Sequence, residues 1–188
     1  AAAYKHSVSV NSREAWYVSA LAAFNSKNWK SAESYFQKYC KSGEDEYTSY
    51  AMFYMGYAQY AQGQSLTAFR TLERFITTYK GHPLMYNACV TAASSCVQIN
   101  DYKTGARMAL LAIDSSANEK QRQDAIVLCA TIYSDDAEYT KAVNILAPSA
   151  RLRSDFGARA RYLTAQVYAR ENRIDDADAM YHEIEEVF

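Results

Sequence analysis

Small and apolar side chains recur along the chain with a period close to 36 residues. The stretch "NWKSAESYF", which begins at Asn28, has weaker copies that begin at Gln64, Asp101, Glu138 and Arg173. Each copy carries a small residue at the same position, and successive small residues are 36, 37, 37 and 35 positions apart. They are Ala32, Ala68, Gly105, Ala142 and Ala177. A fixed period between about 20 and 50 residues is typical of a protein built from repeated units.

A second column of small residues lies twelve positions before the first one. It consists of Ala20, Gly56, Ala93, Ala130 and Ala165. Two such columns one helix apart indicate closely packed helices, because a larger side chain at either position would push the helices apart. Each period therefore predicts one helical hairpin. We expect the first helices over residues 13–26, 46–62, 84–98, 119–135 and 157–171, and the second helices over 29–41, 65–79, 102–113, 139–153 and 174–187.

These hairpins predict an all-α protein. The five units are expected at 13–45, 46–82, 83–118, 119–156 and 157–188, and residues 1–12 match no unit, so we expect an N-terminal tail or linker there. Asn28, Asn100 and Asn172 fall in the turns within the hairpins, where asparagine is favoured. Pro148 is expected to end or kink the second helix of the fourth unit near Ala147, because proline lacks the backbone N–H that a helix uses.

Composition agrees with an all-helical fold and argues against some classes of protein. The 188 residues include only six glycines and two prolines, which is few for this length. A net charge of -1 and a pI near 6.4 argue against a general nucleic-acid binder, which needs a basic face to contact phosphates. No stretch reaches the roughly 18 apolar residues of a membrane span, and the first ten residues lack the apolar core of a signal peptide.

Cysteine and histidine positions do not predict a metal site. The cysteines form no C-x2-C pair, so they do not match the spacing of zinc ligands. Each lies at an apolar helix position and is expected to be a buried thiol. They are Cys40, Cys89, Cys96 and Cys129. His6, His82 and His182 are scattered along the chain, and we interpret them as solvent-facing or turn residues.

Short motifs of common enzyme classes are missing from the sequence. We find no G-x-S-x-G, H-E-x-x-H or G-x-G-x-x-G motif and no P-loop. The acidic pair Asp135–Asp136 and the trio Asp175, Asp176 and Asp178 border predicted helix ends, where acidic residues are common. Asp175 and Asp176 begin a helix, so the helix dipole explains them without a metal. The chain is therefore predicted to be non-catalytic and to bind no cofactor and no metal.

The two columns and their neighbouring aromatic residues resemble the tetratricopeptide repeat. In the first unit the resemblance rests on Trp16, Ala20, Asn28, Trp29, Ala32 and Phe36, and in the second on "AMFYMGYAQYAQGQSLTAFRTLERFITTYKGHP". The later units match more loosely, but all five are in phase over residues 13–188. The resemblance implies a right-handed superhelical solenoid that acts as a protein–protein interaction scaffold, with a peptide-binding groove lined by the first helices. The second unit is most similar to bacterial envelope members of the family.

The groove that this resemblance implies would be aromatic at one end. Its candidate partner-binding residues are Tyr17, Leu21, Phe24, Tyr50, Phe53, Tyr57 and Tyr60. The last four are spaced 3, 4 and 3 apart, so they share one face of a helix. The other apolar face, with Met52, Met55, Gly56 and Gln59, is expected to meet the paired helix. A helix with two apolar faces is either buried on both sides or exposes a binding surface.

The matching positions of the fourth and fifth units are mostly polar. They are Asp124, Thr131, Asp135, Arg159, Tyr162, Gln166 and Arg170. Members of the family that bind chaperone tails hold a C-terminal carboxylate with lysine and asparagine side chains on these helices. Tyr17 and Leu21 stand at the matching positions of the first unit, so a chaperone C-terminus is not the expected partner.

A basic cluster near the fifth unit is a candidate secondary site. Arg151, Arg153, Arg159 and Arg161 could hold an acidic peptide or a phosphate. Alternatively, they form a solvated surface paired with Asp155 and nearby carboxylates.

Several alternatives remain open from the sequence. The tail or a preceding repeat could fill the aromatic groove, and the chain could be a structural segment of a longer repeat protein whose activity lies elsewhere. The apolar C-terminal residues Met180, Ile184, Val187 and Phe188 lack a polar capping helix, which predicts a longer array or self-association through the C-terminal hairpin. Four unpaired cysteines favour the cytoplasm, whereas the resemblance favours the cell envelope or periplasm.

Overall fold

Ten α-helices occupy most of residues 2–187, the range that the computed structural model describes, with side chains described for residues 13–184. The helices are α1 (Ala2–Asn25), α2 (Trp29–Lys41), α3 (Thr48–Ala61), α4 (Ser65–Thr78), α5 (Met85–Gln98), α6 (Tyr102–Asp114), α7 (Glu119–Asp135), α8 (Tyr139–Ala150), α9 (Asp155–Arg170) and α10 (Ile174–Val187). No strand occurs within this range. The prediction of an all-α fold is confirmed.

The helices belong to two compact units, one that ends at Ile99 and one that begins at Asn100. Within the first unit each helix packs against the next one along the chain, from α1 on α2 to α4 on α5. Within the second unit the same order holds from α6 on α7 to α9 on α10. This sequential packing is the arrangement that successive helical hairpins predict.

Both columns of small residues are buried throughout the two units. Gly56 shows why the positions must be small. A Cβ atom added at Gly56 would lie 2.8 Å from the Cδ2 and Cγ atoms of Leu72 on α4, which is closer than real side chains approach. The first helix of this hairpin can therefore lie against the second only because position 56 has no side chain.

Each hairpin turn contains one residue with a left-handed backbone, and these residues follow the repeat period. Their φ angles lie between +57° and +75°, at Lys27, Gly63, Asn100, Ala137 and Asn172. In four of the turns the next N–H bonds to a carbonyl five residues back, for example Asn28 N–H to Ala23 O at 2.8 Å and Glu138 N–H to Tyr133 O at 2.8 Å. This is the Schellman arrangement that ends a helix through a left-handed residue.

Ala137 has a side chain that is unfavourable at this turn position, because its Cβ atom is disfavoured at φ +57°. Ala137→Gly should therefore raise the free energy of unfolding by about 0.5–1 kcal/mol, whereas Gly63→Ala should lower it by about 1 kcal/mol. Gly63 is a matched control because a Cβ atom there would meet no other atom within 4 Å. Urea denaturation of both variants measures the two changes, and a destabilised Ala137→Gly protein would contradict the left-handed turn.

Some helix ends differ from the predicted ones. Helix α1 begins at Ala2 rather than at residue 13, so the segment predicted as a tail is helical from residue 2 onward; its role outside the repeats stays a prediction. Helix α8 continues past Pro148 to Ala150. Of the C-terminal residues used to predict an uncapped end, Met180 and Ile184 are half-buried, whereas Phe188 and the side chain of Val187 lie outside the described part.

Candidate functional site

Aromatic rings from α1, α2 and α3 form one connected cluster in the first unit. Tyr54 is at its centre, with its ring centroid 4.9 Å from that of Phe24 and 5.8 Å from that of Phe36. Tyr17 lies 5.0 Å from Tyr39 and 6.2 Å from Phe36. Two of the predicted groove residues, Phe24 and Tyr17, therefore pack against other aromatic residues of this cluster.

Phe53 corrects the predicted division of α3 into a groove face and a packing face. Its side chain is only 4% exposed, and its ring lies 6.0 Å from that of Phe75 on α4. Phe53 precedes Gly56 by three residues and so lies only about 60° from it around the helix, which lets a long ring reach the paired helix. Met55, predicted to face α4, is half-buried against the cluster formed by α1, α2 and α3.

The predicted groove residues other than Phe53 keep part of their surface accessible. Tyr57 is 36% exposed and rests against Phe24 at 5.5 Å and Trp29 at 6.0 Å. Tyr17, Leu21, Tyr50 and Tyr60 are half-buried. These side chains present an aromatic surface on α1 and α3, and their role in binding stays a prediction.

An open cleft of about 620 Å³ lies between α1 and the loop that joins α2 to α3. Its lining includes the predicted residues Tyr17 and Leu21, together with Val18 and Tyr47, which the sequence reasoning did not select. Val18 is 65% exposed and Tyr47 is 47% exposed. Tyr47 follows the acidic stretch "GEDE", and an aromatic residue in a polar loop was the signal that could have identified it.

One arginine fixes the loop that forms the second wall of this cleft. Arg13 Nη2 on α1 donates to the carbonyl oxygen of Gly43 at 2.7 Å and lies 3.2 Å from a carboxylate oxygen of Asp45. The hydroxyl of Tyr39 donates to the same carboxylate at 2.6 and 2.7 Å. These contacts connect α1, α2 and the loop, so the cleft is held open by polar interactions rather than by the aromatic cluster alone.

Asp45 is charged in this arrangement, and the cleft carries a negative rim. Burial would raise the pKa of Asp45, but hydrogen bonds from Tyr39, the Tyr47 N–H and Thr48, together with the Arg13 charge, lower it overall. The exposed carboxylates of Glu14 and Glu46 also line the cleft. The cleft therefore combines an apolar floor with acidic side chains at its edge.

His82 supports the aromatic surface from the loop between α4 and α5. Its Nδ1 accepts a hydrogen bond from the Leu84 N–H at 3.1 Å, so in the neutral ring Nε2 carries the proton and donates to Ser49 Oγ at 3.1 Å. Its ring also lies 4.6 Å from that of Tyr50. Burial lowers the pKa of His82 below its ordinary value of 6.5, so the neutral ring belongs to the folded state.

The free energy of unfolding should therefore decrease in acid because of His82. The unfolded chain binds a proton at this residue more readily than the folded protein does, so the stabilisation is complete above about pH 6.5 and declines as the pH falls below it. Urea denaturation between pH 7 and pH 5 measures the slope. His82→Gln should flatten this slope relative to the wild type, and an unchanged slope would contradict the neutral, hydrogen-bonded ring.

The basic residues predicted as a secondary site do not form one exposed patch. Arg161 is 7% exposed, donates to the Leu152 carbonyl at 3.2 Å and lies 3.7 Å from Glu183 on α10. Arg159 lies 4.0 Å from Asp124 on α7. Arg151 and Arg153 are exposed. The prediction is therefore wrong for Arg161, which has a structural position inside the second unit.

The polar positions of the fourth and fifth units contact one another. Arg170 on α9 donates to Asp135 at 2.7 Å and to Ser134 at 3.0 Å, both on α7. Together with Arg159 and Asp124, this pair joins α7 to α9. A solvent-exposed ion pair of this kind contributes about 0–1 kcal/mol to stability, so the contacts order the surface more than they stabilise the unit.

The cysteines are thiols in the structure, with Cys89, Cys96 and Cys129 buried and Cys40 half-buried. Burial raises the pKa of Cys40, Cys89 and Cys129 to about 11. Among the described residues, no group of three His, Cys, Asp or Glu side chains could share a metal ion. None of the helices within residues 2–187 is long and apolar enough to span a membrane.

Comparisons with known proteins agree with this architecture. Residues 50–82 match the family model of the tetratricopeptide repeat. The fold is similar to a crystal structure of MamA protein, with a TM-score of 0.75 and 15% identity over 94% of this chain and 91% of that chain. It is also similar to MamA residues 41-end from Desulfovibrio magneticus RS-1, with a TM-score of 0.71 and 11% identity over 94% of each chain.

A third similar structure is that of a putative kinesin light chain from Podosopora anserina with nearly identical TPR-like repeats. Its TM-score is 0.69, at 13% identity over 93% of each chain. A comparison with curated protein sequences gave no significant match. At such low identity these likenesses establish the fold alone. They confirm the predicted TPR-like fold class, whereas the bacterial envelope type stays a prediction.

Proposed function

From the TPR-like fold, we propose that the chain is a non-catalytic scaffold that binds a partner protein or peptide through the first unit. The observation that carries the proposal is the cleft between α1 and the α2–α3 loop, about 620 Å³ in volume. Tyr17, Val18, Leu21 and Tyr47 give it an apolar lining, in which Val18 and Tyr47 are exposed. Exposed apolar surface rimmed by polar groups is typical of protein interaction sites.

The chemistry of the cleft favours a particular class of partner. Aromatic side chains with accessible rings are the residues that most often dominate binding energy in protein interfaces. The acidic rim of Glu14 and Glu46 would attract lysine or arginine side chains and repel a carboxylate. The preferred partner is therefore a segment with an apolar anchor flanked by basic residues. This supports the expectation that a chaperone C-terminus is not the partner.

A structural role in a longer repeat protein is the second candidate function. It is favoured by the internal packing of Phe24, Phe53 and Tyr54, which fills part of the surface predicted to be open. Under this alternative the aromatic residues stabilise the first unit, and the cleft binds no other protein.

Truncation of Tyr47 separates the two functions. Because Tyr47 is half exposed in a loop, Tyr47→Ala should lower the affinity for a captured partner by about thirtyfold, equivalent to about 2 kcal/mol. Its free energy of unfolding should change by less than about 1 kcal/mol. The measurement is an affinity pull-down that identifies the partner, followed by calorimetric titration of the purified pair.

Tyr162→Ala is the matched control, because Tyr162 is 48% exposed and lies on α9 of the second unit. It should leave the affinity unchanged. Equal binding by the wild type and Tyr47→Ala would contradict the cleft as the binding site. A pull-down that captures no specific partner would instead favour the structural role.

A further inference from the structure

One contact recurs through both units: a helix buries one of its faces against the preceding helix. On α3 this face consists of Ala51, Tyr54 and Ala58, which share a core cluster with Phe36 of α2. On α9 the corresponding residues are Ala160, Leu163 and Val167, and the last two line one cavity with Leu146 of α8. The corresponding positions of α5 and α7 are also buried or half-buried. They are Ala88, Thr91, Ser95, Ala125, Leu128 and Ile132.

The same face of α1 is exposed. By the repeat register, Ala15, Val18 and Ala22 occupy the positions of Ala51, Tyr54 and Ala58. Ala15 and Ala22 are exposed, and Val18 is 65% exposed. This face therefore has small apolar side chains like those of the buried helix contacts, but no helix of the described residues packs against it. We call it the α1 end face.

The complementary face is exposed on α10. In the α2–α3 contact, α2 supplies Trp29, whose ring is 6.0 Å from Tyr57, Glu33, which accepts from Gln59 at 3.0 Å, and Phe36, stacked 5.8 Å from Tyr54. By the same register, Ile174, Asp178 and Tyr181 occupy these positions on α10. Ile174 is 53% exposed and Tyr181 is 36% exposed, whereas Phe36 is fully buried. We call these residues the α10 end face.

We propose that α10 of one copy docks on α1 of a second copy and so reproduces the contact between α2 and α3. Tyr181 would lie on Val18 between two alanines, and Ile174 would lie on Leu21. The large aromatic ring of Tyr181 meets the α1 end face at Val18, which is smaller than Tyr54 at the same position of α3. A second copy is the favoured partner because each chain carries both surfaces of the contact. The α1 end face corresponds to the α3 side of the α2–α3 contact, and the α10 end face corresponds to its α2 side.

The proposed contact joins two different surfaces and is therefore heterologous. Such a contact leaves one end face free at each end of a dimer, so copies add to form open chains or, if the geometry closes, rings. The proposal does not depend on the cleft partner. Val18 and Leu21 are shared with the cleft, whereas Tyr47 belongs to the cleft alone, so Tyr47→Ala should leave self-association unchanged.

Sedimentation velocity from micromolar to millimolar concentration tests the proposal. The wild type should increase in mass with concentration beyond a dimer. Val18→Glu and Tyr181→Glu should each weaken self-association at least about tenfold, because each places an unpaired carboxylate in the contact. Both residues are exposed, so both variants should fold, and far-UV circular dichroism checks this directly.

Mixing the two variants gives the decisive result. Val18→Glu keeps a native α10 end face and Tyr181→Glu keeps a native α1 end face, so an equimolar mixture should form dimers that cannot grow further. A strictly monomeric wild type overturns the proposal. An isologous dimer through α10 would also overturn it, since Val18→Glu would then still dimerise and the mixture would add no new species.

Discussion

Replacing Phe53 by alanine should lower the free energy of unfolding by about 3–5 kcal/mol, as expected for removal of a buried aromatic ring. Phe53 is buried between Tyr54 of its own helix and Phe75 of α4, with ring centroids 5.3 and 6.0 Å apart. Truncation would leave a cavity where α3 meets α4. Urea denaturation followed by circular dichroism measures the loss.

Tyr57→Ala is the matched control, because Tyr57 lies one helical turn further along α3 and has a 36% exposed side chain. Its truncation should cost less than about 2 kcal/mol, since 36% of Tyr57 is already exposed to water in the folded state. The difference between the two losses of unfolding free energy therefore distinguishes a buried residue from an accessible one on the same helix. Equal losses would contradict the assignment of Phe53 to the core and Tyr57 to the accessible surface.

The repeat architecture could be predicted from the sequence because it depends on periodic requirements. Close helix packing requires a small residue at fixed positions, and Gly56 against Leu72 shows how little space is available there. The same requirement recurs in each period, so the two columns locate the hairpins. Helix ends depend on single contacts, such as the side-chain oxygen of Asn28 accepting from the Ser31 N–H, and are less visible in the pattern.

The candidate site could be predicted only in part. Spacing places Tyr50, Phe53, Tyr57 and Tyr60 on one stripe of α3, but it does not show how far each side chain reaches toward α4. Phe53 is 4% exposed, whereas Tyr57 is 36% exposed. The cleft depends on Arg13 holding a loop through Gly43 and Asp45, a contact between distant residues that no local pattern encodes.

The burial of Arg161 is a second feature that could not be predicted from the sequence. The sequence places it in a basic cluster, where exposure is the usual expectation. Its guanidinium is buried because the Leu152 carbonyl and the Glu183 carboxylate both approach it. A buried charge that keeps its partners is tolerated, whereas loss of a partner is costly. The Leu152 carbonyl must therefore stay in place to keep Arg161 hydrogen-bonded. It can do so only because Gly157, which lies next to it, has no side chain.

Gly157→Ala should lower the free energy of unfolding by about 3 kcal/mol, combining a backbone collision with the loss of a hydrogen bond to a charged group. A Cβ atom at position 157 would collide with the carbonyl oxygen of Leu152. That oxygen accepts the hydrogen bond from Arg161. Moving it away would relieve the collision but leave the buried guanidinium with Glu183 alone, at 3.7 Å.

The sign of the change in unfolding free energy distinguishes a collision with Leu152 from an effect of helix propensity. Gly157 lies in the first turn of α9, where helix propensity alone predicts that alanine should stabilise the protein by up to about 1 kcal/mol. Ala158→Gly, at the next position, measures propensity there and should cost about 1 kcal/mol or less. Urea denaturation of the two variants compares the effects. A stabilised Gly157→Ala protein would contradict the close approach of Leu152, and the buried position of Arg161 would lose its explanation.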